Sequence, residues 1–260
     1  IKLEPSERQE VLIRGMFNHE ILIDILRNFT LFIQKGDKII KIICRYQQYR
    51  AVGKMIKKLQ NGTDWRGKSG VVWHTQGSGK SFTMVFLVRK MRHTEGLRDY
   101  RVIMVVDRQD LERQLAETAE YTGELRHDPK TKKVQNVIEN RQALTKLGTD
   151  TADLNLVMIH KFGENKEYSL ESLIKAGVVP KYESFPIINE SDKILVLIDE
   201  AHRSQGGEMG DNLIQAFPNA ARIGFTGTPL VTPRHKATTC ERFGQNAGVF
   251  IDTYKMNDSV

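Results

Sequence analysis

Val71-Val72-Trp73-His74-Thr75-Gln76-Gly77-Ser78-Gly79-Lys80-Ser81 is the stretch on which the fold turns. An apolar, β-branched run enters a Gly-rich loop, and the loop opens onto an amphipathic pattern over 81–92. Strand, tight loop and helix in that order aim backbone N–H groups and a helix N-terminus at phosphate oxygens. Gly77 and Gly79 permit the close approach and the backbone angles such a loop needs. Lys80 is placed to reach the outer phosphates of a triphosphate, and the Ser81 hydroxyl is a ligand for Mg²⁺. Thr75, Gln76, Ser78 and Phe82 complete the candidate phosphate-binding segment. The general pattern Gly-x-x-x-x-Gly-Lys-Ser/Thr begins with Gly, and His74 stands there in this chain.

Outward from the loop the same alternation repeats. Short apolar runs stand at Val71–Trp73, Val102–Val106, Leu154–Ile159, Ile194–Ile198 and Ile223–Phe225. Being apolar on both faces, they suit buried parallel strands. Helical patterns at 81–92, 109–120, 169–176 and 211–217 fall between them. The expected fold class is therefore α/β, a mostly parallel sheet covered by helices. Upstream, Val11, Leu12, Met16, Phe17, Ile21, Ile25, Phe29 and Phe32 recur at near-helical spacing and predict two short helices over 7–35. After a polar turn, Lys35-Gly36-Asp37, a helix with Val52, Met55, Ile56 and Leu59 on one face is expected to stop near Asn61-Gly62. The polar segment 163–193, with Pro180 and Pro186, reads as an insertion.

Composition narrows the class further. The 260 residues are 40% hydrophobic and 27% charged, enough to bury a core and unlike disordered or fibrous chains. No apolar stretch approaches the ~18 residues of a membrane span. The opening IKLEPSER lacks the basic and apolar regions of a signal peptide, and its first residue is Ile rather than Met, as in a fragment. Cys44 and Cys240 lie far apart with no Cys-x-x-Cys spacing, which disfavours a disulfide framework or zinc module and fits a reducing cytoplasm. Net charge is +7, with 12 Lys and Arg against 6 Asp and Glu in residues 1–60. That surplus permits a polyanionic partner such as nucleic acid without requiring one.

A second chemical signal is Ile194-Leu195-Val196-Leu197-Ile198-Asp199-Glu200-Ala201-His202. Two acids at the end of a buried strand are costly unless they serve an ion or hydrogen bonds. Asp199 is placed to hold Mg²⁺, and Glu200 to polarise an attacking water. Asp199 stands 119 positions after Lys80, which leaves room for several strand–helix units and is more than small nucleotide kinases or GTPases use. Asn165-Lys166-Glu167-Tyr168 and Thr145-Lys146-Leu147-Gly148 both fail as a guanine-reading Asn/Thr-Lys-x-Asp, so adenine is favoured. A third segment, Gly224-Phe225-Thr226-Gly227-Thr228-Pro229, starts 24 positions after Glu200 and on its own is only a polar turn.

In this order the three segments resemble motifs I, II (of DEAH type) and III of a superfamily 2 helicase or translocase. Finer strings resemble the endonuclease (R, restriction and motor) subunits of type I restriction-modification enzymes. Arg45-Tyr46-Gln47-Gln48-Tyr49-Arg50-Ala51-Val52 is similar to the segment upstream of motif I, and Val105-Val106-Asp107-Arg108-Gln109-Asp110-Leu111-Glu112-Arg113-Gln114 to motif Ia. Asp199-Glu200-Ala201-His202-Arg203-Ser204-Gln205 matches that family's motif II beyond its four common residues.

The resemblance implies a RecA-like P-loop NTPase fold, ATP and Mg²⁺ as ligands, and coupling of hydrolysis to translocation on double-stranded DNA. It implies methylation and specificity subunits as partners and a bacterial or archaeal cytoplasm. Residues 1–44 become a helical extension from a nuclease domain outside this chain, 45–240 the first motor domain, and 241–260 a linker to a second RecA-like domain. Gln48, with Gln47 as the alternative register, is expected to read adenine. Lys80, Asp199, Glu200 and His202 form the catalytic group, and Thr226, Gly227 and Thr228 relay phosphate status. Arg108 and Lys161 are the expected DNA-phosphate contacts. Glu164-Asn165-Lys166 reads as a chance nuclease-like string. Without the second domain the chain is expected to bind nucleotide and hydrolyse it poorly. Two other readings stay open: an RNA helicase or chromatin-type remodeller, and a degenerate P-loop module with only a structural role.

Overall fold

The computed structural model describes residues 4–35, 38–107, 116, 119, 136–138, 142–149, 153–163, 185–201, 208–230 and 238–255. Helices α1 (Pro5–Met16) and α2 (His19–Asn28) come first, and the Asn18 side chain caps α2 by accepting from the backbone N–H groups of Glu20 and Ile21. An antiparallel hairpin follows, β1 (Thr30–Lys35) and β2 (Lys38–Ile43). Then come α3 (Tyr46–Asn61), α4 (Trp65–Lys68), β3 (Gly70–His74) and α5 (Lys80–Arg92). Strands β4 (Arg101–Val106), β5 (Val137–Ile138), β6 (Leu154–Met158) and β7 (Ile194–Ile198) continue the chain. It closes with α6 (Glu208–Ala216), β8 (Ala221–Thr226), α7 (Thr239–Arg242) and β9 (Asp252–Tyr254).

Seven of these strands form one sheet in the order β5-β6-β4-β7-β8-β3-β9, and every pairing in it is parallel. All residues of β4, β6, β7 and β8 are buried, as a sheet covered on both faces requires. Alternation divides their side chains. Val72, Val102, Met104, Leu195, Leu197 and Phe225 pack with Val52 and Met55 of α3 and Met84 and Phe86 of α5. Val71, Ile103, Val105, Val196 and Ile198 pack in a second cluster with Leu213 of α6, Phe162, Phe217 and Phe243. The expected α/β class is what the chain adopts.

The structure departs from the local pattern at four places. The pattern read as helix through residue 35 becomes the β1–β2 hairpin, because α2 ends at Asn28. Phe29 is buried against Tyr49 and Phe86, with ring centroids 4.8 and 5.5 Å apart, whereas Phe32 is 56% exposed, so the two do not share one buried helical face. The β-branched run Ile39-Ile40-Lys41-Ile42-Ile43 favours a strand there. Strand β6 stops at Met158, and Ile159–Phe162 is a 3-10 turn rather than the strand's end. The stretch expected as a linker contains β9, which docks beside β3 at Val72–His74. Two-residue β5 at the far edge was not expected. The expected helix 169–176 lies outside the described residues, as does 109–120 apart from Ala116 and Ala119, both buried.

Candidate nucleotide-binding site

The phosphate loop joins the end of β3 to the start of α5. Gly79 is the N-cap of α5 with φ of 82°, and Gly77 has φ of 78°, both in the left-handed region that favours glycine. Gly79 is also under a close neighbour: a Cβ there would lie 2.6 Å from Gln48 Nε2. Gln48 reaches across from the first turn of α3. Its Nε2 donates to the Gly79 carbonyl at 2.9 Å, and its Oε1 accepts from the Arg45 backbone N–H at 2.7 Å. A side-chain amide has two N–H donors and two acceptor lone pairs. One of each is left over, the pair that a glutamine offers to the donor and acceptor edge of adenine. Gln47 is buried too, but the glutamine bonded to the loop is Gln48.

The rest of the segment suits an oxyanion. Ser78 is 2% exposed, and its buried Oγ has no hydrogen-bond partner among the described residues. Such a group is costly unless a ligand oxygen meets it. Lys80 is buried, Thr75, Ser81 and Phe82 are half-buried, and Gln76 is exposed. Thr83 Oγ1 donates to the Gly79 carbonyl at 3.1 Å and braces the first turn of α5.

Strand order brings the acids to this loop. Strands β7 and β3 flank β8 on either side, so their C-terminal ends open on the same edge of the sheet. Asp199 is buried just past β7, its backbone N–H bonded to the Val105 carbonyl at 3.0 Å. Glu200 follows with φ of 47°. A left-handed backbone at a residue with a Cβ stores ~1–3 kcal/mol of strain, as such positions do at functional sites. Glu200 Oε1 stands 3.7 Å from Lys80 Nζ, an ion pair longer than a hydrogen bond. Ser81 and Asp199 offer hard oxygen donors, the chemistry that Mg²⁺ takes. His202 lies outside the described residues.

Thr226, Gly227 and Thr228 fill the gap between loop and acids. Thr226 is buried, and its Oγ1 accepts from the Thr228 N–H at 3.1 Å. The Gly227 carbonyl accepts from Trp73 Nε1 at 3.1 Å, and a Cβ on Gly227 would stand 3.3 Å from the Gln76 nitrogen. The segment after β8 therefore rests directly on the phosphate loop. Lys161 is elsewhere, half-buried in the turn after β6. Four strand spacings separate β6 from β3, about 19 Å. Neighbouring His160 has its imidazole pKa lowered by burial and then by the Lys161 charge, against an opposing pull from Asp107. Arg108 lies outside the described residues.

One participant, Asp252, carried no sequence signal. His74, in the position usually held by Gly, is fully buried, and its Nε2 lies 2.8 Å from Asp252 Oδ2. A carboxylate only accepts, so Nε2 bears the proton. Asp252, the first residue of β9, also accepts from Arg50 Nε at 2.9 Å, Arg50 Nη2 at 2.9 Å and Lys54 Nζ at 2.7 Å. Burial alone would raise its pKa, but the bonds from His74, Arg50 and Lys54 prevail and hold the carboxyl well below the usual carboxylate range.

Residues 47–260 match the model of the SWI2/SNF2 ATPases. The chain belongs to that family. This SWI2/SNF2 ATPase chain is 33% identical to the type I restriction enzyme HindI endonuclease subunit of Haemophilus influenzae, over 98% of its own length and 23% of the relative's. It is 31% identical to the putative type I restriction enzyme MjaVIIIP endonuclease subunit of Methanocaldococcus jannaschii, over 98% of its length and 25% of the relative's. It thus spans about a quarter of the curated relatives it matches. The SWI2/SNF2 ATPase core of Sulfolobus solfataricus, solved in complex with dsDNA, superposes with a TM-score of 0.52 at 14% identity. That match covers 86% of this chain and 38% of the archaeal one, and it shows a shared fold. No helix among the described residues is long and apolar enough to cross a membrane.

Proposed function

We propose that this SWI2/SNF2 ATPase chain is the ATP-binding motor domain of a type I restriction enzyme's endonuclease subunit. It would couple ATP hydrolysis to movement along duplex DNA, in the cytoplasm and in company with methylation and specificity subunits. Similarity to restriction-enzyme subunits over nearly the whole chain supports the assignment. The observation that carries the chemistry is Lys80 Nζ at 3.7 Å from Glu200 Oε1, two groups 120 positions apart in sequence.

In this reading Gly77, Ser78 and Gly79 bind phosphate oxygens with a hydroxyl and with backbone N–H groups aimed from the start of α5. Lys80 neutralises the outer phosphates. Ser81 and Asp199 would hold Mg²⁺, which when bound supplies positive charge to the phosphate oxygens. Glu200 orients and polarises the attacking water, and its 28% side-chain exposure leaves it open to one. Gln48 reads the adenine edge with the donor and acceptor it has left over. Thr226, Gly227 and Thr228, resting on the loop, sense whether the outer phosphate is present, and His202 joins that relay. Lys161 and Arg108 meet DNA phosphates, a contact blind to sequence as a moving motor requires. Phosphoryl transfer depends on positioning and charge. Residues 1–44 lead from a nuclease domain, 45–240 form the motor unit, and 241–260, which carry β9 beside β3, lead towards a second RecA-like domain that completes the site.

The direct test is titration of a fluorescent ATP analogue with Mg²⁺ against this chain and against Lys80→Ala. Saturable binding that the substitution abolishes supports the reading. Binding unaffected by Lys80→Ala would overturn it.

A further inference from the structure

The carboxylate of Asp252 is fully buried, and its four contacts occupy about the four lone-pair sites a carboxylate has. What it joins is informative. Arg50 and Lys54 lie one turn apart on α3, the helix whose first turn carries Gln48. His74 opens the phosphate loop, whose other end, Gly79, is the residue Gln48 grips. The connections close a circuit: Asp252 to His74, along the loop to Gly79, across to Gln48, down α3 to Arg50, and back to Asp252. Thr75 at the loop's start is also tied to this strand through its N–H to the Tyr254 carbonyl at 3.0 Å. Arg50 Nη2 adds a bond to the Thr253 carbonyl at 2.8 Å.

An edge strand is held in a sheet by its ladder and by apolar contacts, and neither needs an ionised side chain in the interior. Burying a carboxylate is costly, and it yields geometry in return. The two-pronged bond from the Arg50 guanidinium fixes the orientation of α3 in a way that a point charge does not. The bond to His74 fixes the loop's first residue, where Gly would leave the backbone free.

Building on the ATP-site reading, we propose that Asp252 is a positioning residue for nucleotide binding: through His74 on one side and Arg50 and Lys54 on the other, it sets the distance between the phosphate loop and the adenine-reading Gln48. It touches no nucleotide itself. Its effect falls on ligands that engage both ends of the site at once, and much less on ligands that engage the phosphate loop alone.

The experiment compares affinities for ATP and for inorganic tripolyphosphate, both with Mg²⁺, in the unaltered chain, Asp252→Asn, Arg50→Lys and Lys80→Ala, with thermal melting of each. The expected result for Asp252→Asn is a fall of about tenfold in the ratio of ATP to tripolyphosphate affinity, with tripolyphosphate binding changed much less. Arg50→Lys keeps the charge and loses the two-pronged bond, and should lower the ratio several-fold. It carries the test alone if Asp252→Asn does not fold. A purely structural role would lower the melting temperature and leave the ratio where it was, which overturns the proposal. If the unaltered chain binds ATP, Lys80→Ala loses it and the Asp252 and Arg50 variants keep the ratio, this proposal fails and the ATP reading stands. If the unaltered chain binds no ATP, both fall.

Discussion

Replacing Gly79 by Ala perturbs the site in two separable ways. The first is backbone strain: at φ of 82° a residue with a Cβ sits in the left-handed region, at a cost of about 1–2 kcal/mol. The second is steric, because the new Cβ would lie 2.6 Å from Gln48 Nε2 and must push that amide away. Displacing it forfeits the bond to the Gly79 carbonyl, worth about 1 kcal/mol. Together the substitution costs about 2–3 kcal/mol, or about 30- to 150-fold in an equilibrium constant. That cost divides between two observables. A loop held in its native shape lowers the melting temperature, by about 2–4 °C for each kcal/mol in a chain of this size. A loop that relaxes keeps the melting temperature and loses affinity. The assay therefore pairs nucleotide titration with thermal melting and adds the two losses. Gln48→Ala separates the terms: with the amide gone only the backbone strain remains. The double variant should lose about 1 kcal/mol less than the sum of the single variants. Additive losses, or Gly79→Ala indistinguishable from the unaltered chain in both assays, would refute the account of the loop.

Three further outcomes follow from the same geometry. Glu200→Gln should leave ATP binding nearly unchanged while slowing turnover by about 10²–10⁴-fold in a chain complete enough to hydrolyse; equal losses in binding and turnover would make Glu200 a binding group instead. Arg222 is 2% exposed, lies 4.5 Å over the Trp65 ring and donates to the Phe217 and Pro218 carbonyls, and burial pulls its pKa down to about 10. Arg222→Ala should cost about 2–4 kcal/mol of stability, read by denaturant unfolding, since it removes charged hydrogen bonds and a ring contact together; a change below about 0.5 kcal/mol would contradict this. Lys161→Ala should reduce the slope of log affinity against log salt on duplex DNA by about 1, as loss of one phosphate contact does. An unchanged slope would place Lys161 outside the interface.

What could be read from the sequence was whatever is encoded by near neighbours. The five apolar runs became β3, β4, β6, β7 and β8 because a parallel strand buried on both faces needs nothing but apolar residues in a row. The loop and the acid pair were legible for the same reason, since Gly79-Lys80 and Asp199-Glu200 each follow such a run. The hairpin is hard to read because Phe29 and Phe32 fit a helical period by spacing, while the competing signal lies in the β-branched residues on the other side of Gly36-Asp37. Strand β9 is illegible because Asp-Thr-Tyr has no apolar run, and its pairing partner β3 lies about 180 positions earlier in the chain. The Asp252 cluster joins positions 178 and 202 apart. A buried His74 announces that some partner must exist, but local pattern has no means of saying which acid supplies it.

The pairing of β3 sets an order on assembly. Its neighbours in the sheet are β8 and β9, which the chain supplies only at Ala221–Thr226 and Asp252–Tyr254. As the chain is synthesised, β4 can find β6 and β7 before β3 has either flank, and each closure onto β3 joins positions about 150 or more residues apart. Until then the strand leading into the phosphate loop has two open edges, the condition in which chains pair wrongly or aggregate. A nucleotide that binds only the finished site favours the last closures over their reversal. The phosphate loop is encoded in the first third of the chain and completed by nearly the last residues described.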